Sequence, residues 1–234
     1  MSAKIGLIVP ANNSVIEPEL WSVLPAGVAA YATRILARGN LTPDAVRQME
    51  TQVERAVDEL AATGVDVIAY ADMVTTFIME KGWNEEKVAQ IARRTGVACV
   101  SAWTSLRDAL KALGVRRFAL GTPYPAAIHA MAPPFFEAQG YGVVGDATLD
   151  ILAMRDVPKV DGATLARFVA SLPKSGAEAI VLLATDLPTF GSVAGLEKTC
   201  GFPVLTSNQT ILWASLRAAG VKDKIGKLGR LLEC

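Results

Sequence analysis

Short apolar runs alternate with longer amphipathic segments along almost the whole chain. The apolar runs are predicted strands, at residues 5–9, 29–36, 65–71, 97–101, 117–121 and 142–144. The amphipathic segments are predicted helices, at residues 42–63, 85–95, 105–113 and 162–172, with another ending near Gly140. This alternation is typical of an α/β fold in which parallel strands are joined by crossover helices.

The second half of the chain repeats the order of the first. Three pairs of segments correspond at offsets of 112, 105 and 106 residues, and they begin at Gly64 and Gly176, Gly96 and Gly201, and Leu110 and Leu216. We interpret this as a duplicated α/β unit. The predicted domains are 1–113 with 209–234, and 114–208. The carboxyl ends of their strands would meet across a cleft suited to a small ligand.

The run at 65–71 ends in a carboxylate, Asp72. Ligands of parallel α/β proteins bind where strands end, and burial beside apolar groups would raise a carboxyl pKa toward the range useful in acid–base chemistry. The alternative is a turn or capping aspartate. The repeat mate of Asp72 is Ala184, and the turns around Asn12 and Thr122 are expected nearby.

Composition excludes several classes of function. Basic and acidic residues both number 23, so the net charge is zero, and no basic patch predicts nucleic-acid binding. No apolar run approaches the ~20 residues that span a bilayer, and the N-terminal run lacks the features of a signal peptide. Three cysteines without metal-type spacing indicate a reduced, cytoplasmic protein. A single histidine, His129, excludes a His-rich metal site and argues against a Ser-His-Asp triad.

Four segments resemble one known family: IGLIVPANN at 5–13, DVIAYA at 66–71, TPY at 122–124 and PVLTSNQ at 203–209. They resemble the maleate cis-trans isomerase and arylmalonate decarboxylase family of the aspartate/glutamate racemase superfamily, in order and over nearly the whole chain. The resemblance implies two pseudo-symmetric Rossmann-like or flavodoxin-like domains, each with a four-stranded parallel sheet. It also implies an active site in the interdomain cleft and no cofactor or metal.

The sequence departs from the family at the centre of the site. Isomerases and racemases of the family place a cysteine at the end of each repeated strand, and arylmalonate decarboxylases keep only the second. Here the two positions hold Asp72 and Ala184. Cys99, Cys200 and Cys234 lie elsewhere in the repeat, so chemistry based on a thiol is not expected.

The resemblance, together with the positions of the turns in the repeat, suggests the remaining site residues. Asp72 and Tyr124 are the predicted catalytic residues, although Tyr124 would otherwise be a core residue. Asn12 would hold a substrate carboxylate without adding charge, unless it only caps the next helix. The predicted substrate-binding residues are Asn12, Asn13, Thr75, Thr76, Thr122, Thr185 and Asn208. Of these, Thr75 and Thr76 would form an anion pocket like an oxyanion hole.

Asp186, which follows Thr185, has two interpretations. It is either a second carboxylate paired with Asp72 or a cap for the following helix, and we expect the cap.

Three functions fit these observations. The first is a cofactor-independent lyase, hydrolase or decarboxylase that acts on a small carboxylate or carbonyl substrate by acid–base catalysis at Asp72. The second is an isomerase or racemase of the family type, with Asp72 in place of the thiol. The third is a non-catalytic protein that binds small carboxylates. The expected partner is a small molecule, with neither nucleic acid nor membrane, and a homodimer is compatible with the sequence.

Overall fold

A computed structural model describes residues 3–36 and 40–234 of the chain. The strands are β1 Ala3–Pro10, β2 Val28–Ile35, β3 Val67–Tyr70, β4 Ala98–Ser101, β5 Arg117–Thr122, β6 Gly142–Thr148, β7 Ala179–Leu182 and β8 Val204–Thr206. They form two four-stranded parallel sheets, with the orders β2-β1-β3-β4 and β6-β5-β7-β8. The predicted α/β class and the two matching sheets are therefore confirmed.

Helices follow nearly every strand. They are α1 Ile16–Trp21, α2 Pro43–Glu50, α3 Val53–Thr63, α4 Thr75–Ile78, α5 Trp83–Thr95, α6 Ala102–Ala112, α7 Ala126–His129, α8 Ala132–Ala138, α9 Gly162–Ser171, α10 Val193–Cys200 and α11 Ser207–Ala218. Short 3₁₀ helices occupy Met154–Lys159, Gly226–Leu228 and Arg230–Glu233. None of the helices in the described residues is long and apolar enough to cross a membrane.

The predicted helix at 42–63 is two helices. The helix is interrupted at Thr51 and Gln52, between α2 and α3. The Gln52 side chain accepts a hydrogen bond from Leu36 N (3.0 Å) and donates one to Leu36 O (3.0 Å). This pairing joins the interruption to the end of β2, and apolar periodicity alone cannot detect such a tertiary contact.

The register of the sheets supports the internal repeat. Tyr70 ends β3 opposite Ile8 of β1, and Leu182 ends β7 opposite Gly121 of β5. Positions 72 and 184 therefore stand at equivalent places beyond the two central strands. Both strands are buried throughout, as their apolar sequences predict.

Each half contains a helix, α6 or α11, that begins at the same kind of N-terminal cap. Ser101 caps α6 and Thr206 caps α11, each in a reciprocal capping box. The two helices pack on each other, and α11 also contacts β3 and β4 of the first sheet. The domain boundaries at 1–113 with 209–234 and 114–208 stay a prediction.

Candidate active site

A cavity lies between the two halves, at the carboxyl ends of their central strands. Its polar lining comes from the turns that follow β1, β3, β5 and β7, and its apolar wall from residues 41–49 and 151–157. The lining residues are Pro10, Asn12, Asn13, Leu41, Ala45, Val46, Met49, Asp72, Val74, Tyr124, Pro125, Ile151, Met154, Val157, Thr185 and Asp186. Among these described lining residues there is neither a lysine nor an arginine.

Asp72 lies two residues beyond β3 and is 4% exposed. Its Oδ1 accepts a hydrogen bond from Val74 N (2.8 Å), and its Oδ2 accepts one from Thr75 Oγ1 (2.9 Å). Burial raises the pKa of Asp72 to about 6, and the hydrogen bonds from Thr75 and Val74 oppose that rise. A carboxyl with this pKa can accept or donate a proton near neutral pH.

Asp186 contributes a second carboxyl to the same cavity. The expectation that it caps a helix is wrong, because the next helix, α10, begins only at Val193 and Ser192 occupies its N-cap position. Burial raises the pKa of Asp186 to about 7, and the charge of Asp72 adds to the effect. The structure thus places a carboxyl from each half at one cavity.

Two predicted site residues have polar atoms without partners. Asn12 lines the cavity, and among the described residues its buried Oδ1 has no hydrogen-bond partner. The Tyr124 hydroxyl is likewise unpartnered within the described part of the chain. Burial, with the charges of Asp72 and Asp186, holds the pKa of Tyr124 well above 10.0, so its phenol stays protonated. Unpartnered buried polar atoms beside a cavity are available to a ligand.

Asn13 and Thr185 join the two halves beneath the cavity. Asn13 Nδ2 donates to Thr185 Oγ1 (3.0 Å), which donates in turn to Ala71 O (3.1 Å). Asn13 Oδ1 accepts hydrogen bonds from the N–H groups of Val15 and Ile16 at the start of α1. Both residues line the cavity, but their side-chain hydrogen bonds are already used within the protein.

The other predicted binding residues are not among those that line the cavity. Thr75 is fully buried with its hydroxyl on Asp72, and Thr76 Oγ1 lies 3.5 Å from Asn84 Oδ1. The predicted anion pocket of Thr75 and Thr76 therefore does not face the cavity. Thr122 Oγ1 pairs with His129 Nδ1 at 2.9 Å, and it is also fully buried.

Asn208 holds together two segments that surround the site. Its Nδ2 donates to Glu19 Oε2 (2.7 Å) and to Thr185 O (3.0 Å). Glu19 also accepts hydrogen bonds from the N–H groups of Thr189 and Phe190. Burial raises the pKa of Glu19, and the Asn208 hydrogen bond opposes that rise. Asn208 thus fixes the segment after β7 against α1.

Thiol chemistry has no support at this cavity. All three cysteines lie within the described residues, and none of them lines it. Burial raises the pKa of Cys99 to about 12, which keeps its thiol protonated and unreactive. Ala184 occupies the second repeated position with φ at +90°. The described residues also contain no group of three His, Cys, Asp or Glu side chains placed to hold a metal ion.

The sequence did not predict the apolar wall of the cavity. Val46 and Met49 fall within the predicted helix at 42–63, and Ile151, Met154 and Val157 had no assignment. Apolar periodicity does not separate a side chain that packs in a core from one that lines a cavity. A sequence signal did exist for Asp186, which stands two residues past the repeated position.

Comparisons with known proteins agree with the fold. A family model described as arylmalonate decarboxylase matches residues 5–232. A maleate isomerase of Geobacillus stearothermophilus is 26% identical over 242 residues, which cover 98% of this chain and 96% of that protein. The arylmalonate decarboxylase of Bordetella bronchiseptica is 26% identical over 223 residues, 92% of this chain and 90% of that protein.

A solved structure is similar over the same length. It is the maleate cis-trans isomerase of Nocardia farcinica, a mutant with a covalently bound succinylcysteine intermediate. This structure has a TM-score of 0.92 and 27% identity, and the match covers 98% of both chains.

Proposed function

The chain belongs to the arylmalonate decarboxylase family, and we propose that it is a cofactor-independent enzyme acting on a small carboxylate or carbonyl compound through acid–base chemistry at Asp72. The observation that carries the proposal is the Asp72 carboxyl in a largely apolar cavity, with its pKa raised to about 6. Strongly perturbed carboxyls in clefts are candidate acids and bases.

The two carboxyls differ in their hydrogen bonds, and this difference suggests which is the base and which is the acid. Asp72 accepts hydrogen bonds from Val74 N and the Thr75 hydroxyl, which stabilise its ionised form. For Asp186, the hydrogen bond that lowers the pKa comes from its own backbone. Asp72 therefore ionises first and acts as the base, while Asp186 keeps its proton and acts as the acid.

This division supports a lyase reaction best. In an elimination, Asp72 removes a proton from the carbon next to the substrate carbonyl, and Asp186 protonates the leaving group. In a decarboxylation, Asp186 protonates the carbon after CO₂ leaves. The largely apolar lining of the cavity disfavours a substrate carboxylate relative to neutral CO₂. Asn12 and Tyr124 would hold the substrate oxygens.

An isomerase is the second candidate, and a specific observation favours it. Asp72 and Asp186 come from opposite halves, so a proton removed on one side of a carbon can be returned on the other. This reaction would be identified by deuterium incorporation from D₂O at that carbon, with the opposite stereoisomer as the sole product.

The test is a panel of acids assayed by NMR in D₂O, containing arylmalonates, 2- and 3-hydroxy acids, maleate and aspartate. We expect turnover of at least one class, with Asp72→Asn slower by on the order of 10²- to 10⁴-fold. Cys99→Ser is the matched control and should keep the wild-type rate. Undiminished turnover by Asp72→Asn would refute the proposal. Saturable binding without turnover across the panel would favour a non-catalytic binding protein.

A further inference from the structure

A short chain of hydrogen bonds joins the two halves directly behind both carboxyls. Asn13 Nδ2 donates to Thr185 Oγ1 (3.0 Å), and Thr185 Oγ1 donates to Ala71 O (3.1 Å). All three linked residues are buried, with Thr185 the most exposed at 5%. Ala71 immediately precedes Asp72 in the chain, and Asp186 immediately follows Thr185. One hydrogen bond therefore connects the neighbours of the two carboxyls.

The direction of these hydrogen bonds is determined by Asn13. Its Oδ1 accepts hydrogen bonds from the N–H groups of Val15 (2.9 Å) and Ile16 (3.2 Å), so its amide nitrogen is the atom that faces Thr185. A threonine hydroxyl has a single proton to donate. Because the Thr185 hydroxyl accepts from Asn13, its proton is committed to the carbonyl of Ala71.

The sequence of β1 explains why the Ala71 carbonyl needs a partner from the other half. Ala71 N donates to Ile8 O (2.9 Å), which extends the pairing of β3 with β1 by one residue. In a parallel ladder the Ala71 carbonyl would next accept a hydrogen bond from the N–H of residue 10. That residue is Pro10, which has no N–H. The Thr185 hydroxyl therefore occupies a place that β1 leaves open.

Thr185 is also held through its backbone. Asn208 Nδ2 donates to Thr185 O at 3.0 Å, and the preceding residue, Ala184, has φ at +90°. A non-glycine residue keeps such a conformation only where its surroundings enforce it. The hydroxyl of Thr185 is therefore a fixed point from which the turn after β3 is held.

We propose that Thr185 is a positioning residue that sets the separation of the Asp72 and Asp186 carboxyls by tying the turn after β3 to the turn after β7. The inference rests on the proposed acid–base roles of the two carboxyls. A base and an acid that act on one substrate need a defined separation, and a misplacement of about 1 Å can cost on the order of 10²-fold in rate. Thr185 acts through the two carboxyls, because its hydroxyl is committed to protein partners.

Steady-state kinetics on the best substrate of the acid panel test the positioning role. The nearly isosteric Thr185→Val replaces the hydroxyl by a methyl group. We expect it to lower kcat by on the order of tenfold to a hundredfold and to leave KM within about threefold of wild type. Thr185→Ser, which keeps the hydroxyl, should restore kcat. Thr210→Val is the matched control, because it removes a fully buried hydroxyl that donates to Ser207 O (3.0 Å) within α11, and it should keep the wild-type kcat.

Two kinetic results would overturn the positioning role. One is an unchanged kcat in Thr185→Val. The other is a raised KM with unchanged kcat, which would show that the Thr185 hydroxyl binds the substrate directly. If Thr185→Val does not fold by circular dichroism, Asn13→Ser takes its place with the same expected loss of kcat. Serine keeps a side-chain oxygen for the N–H groups of Val15 and Ile16 but has no amide to donate to Thr185.

A second measurement needs no substrate. The charge of Asp72 raises the pKa of Asp186, and this coupling depends on the separation of the two carboxyls. Carbon-13 NMR of protein labelled at the aspartate carboxyl carbons follows the titration of Asp186, and Asp186→Asn assigns its signal. Asp72→Asn should lower the pKa of Asp186, and in the Thr185→Val background this decrease should be smaller by about twofold. An equal decrease in both backgrounds would contradict the positioning role.

The failure of this inference and the failure of the proposed function give different results. The NMR titration decides the positioning role even if no acid of the panel is turned over. An Asp72→Asn variant that is inactive on the acid panel, together with unchanged kcat and unchanged coupling in Thr185→Val, would keep the function and remove the positioning role.

Discussion

Two aspartates with the same side chain have different surroundings at this cavity. Asp72 has hydrogen-bond donors on both carboxyl oxygens, whereas Asp186 is hydrogen-bonded by its own backbone. Burial raises the pKa to about 6 for the first and about 7 for the second. Burial is the larger cause in both cases. Such burial of charge lowers stability in the ionised state, which is a common cost of a catalytic group.

The stability of the Asp72→Asn variant should reveal that cost. Burial raises the pKa of Asp72 from 3.8 to about 6. Between these values the folded protein binds more protons than the unfolded chain, so the free energy of unfolding falls as the pH rises through the window. The variant has no such titration. We therefore expect its stability relative to wild type to increase by on the order of 2–3 kcal/mol between pH 4 and pH 8.

Urea unfolding of both proteins at the two pH values measures this difference, and titrating groups that do not interact with Asp72 cancel in the comparison. A stability difference that does not change with pH would show that Asp72 titrates normally in the folded protein.

At the residue scale, the sequence predicted Asp72 because a charge at the end of an apolar strand is conspicuous. It favoured a helix cap for Asp186, which lines the same cavity instead, because a carboxylate in a turn more often caps a helix. The hydroxyls of Thr75 and Thr76 were expected to face a ligand. Their partners, Asp72 and Asn84, depend on side-chain directions that sequence spacing does not determine.

At the scale of elements, the two repeated turns have diverged in backbone as well as in side chain. Ala184 has φ at +90°, a conformation that a residue with a Cβ rarely adopts, whereas Asp72 is not among the described residues with positive φ. Strain of this kind is retained where the surrounding structure enforces it. Asn208 and Glu19, which hold the segment after β7 against α1, supply that constraint.

Replacement of Ala184 by glycine tests the strain. Ala71→Gly is the matched control, since Ala71 is equally buried and does not have a positive φ. Both changes remove one methyl group, but only Ala184→Gly relieves a left-handed conformation. We expect Ala184→Gly to be less destabilising than Ala71→Gly by about 1–2 kcal/mol in urea unfolding. Equal losses of stability would contradict the strain.

Most elements were predictable from periodicity, because strand and helix patterns differ clearly where a face is buried. The exceptions are informative. The break between α2 and α3 coincides with the pairing of the Gln52 side chain with the Leu36 backbone, and α4 is too short at four residues to show a period.

At the scale of the whole molecule, duplication explains why one cavity holds a carboxyl from each half. The sheets have the same strand order, so their central strands end at equivalent places. The repeat predicted this meeting point from the sequence alone. It could not predict the apolar wall, since residues 41–49 and 151–157 have no common pattern and come together only through the fold.

The pH dependence of kcat/KM on the best substrate of the acid panel tests the central claim most directly. Asp72 must be ionised to act as the base, so activity should rise as the pH passes about 6. Asp186 must be protonated to act as the acid, so activity should fall again above about 7. Because the two carboxyls interact, these apparent values belong to the pair.

We expect a narrow bell-shaped pH profile of kcat/KM for the wild type. The profile of Asp186→Asn should keep the rise near pH 6 and lose the fall above about pH 7. A wild-type profile that is flat from pH 5 to pH 8, or a bell that is unchanged in Asp186→Asn, would contradict it.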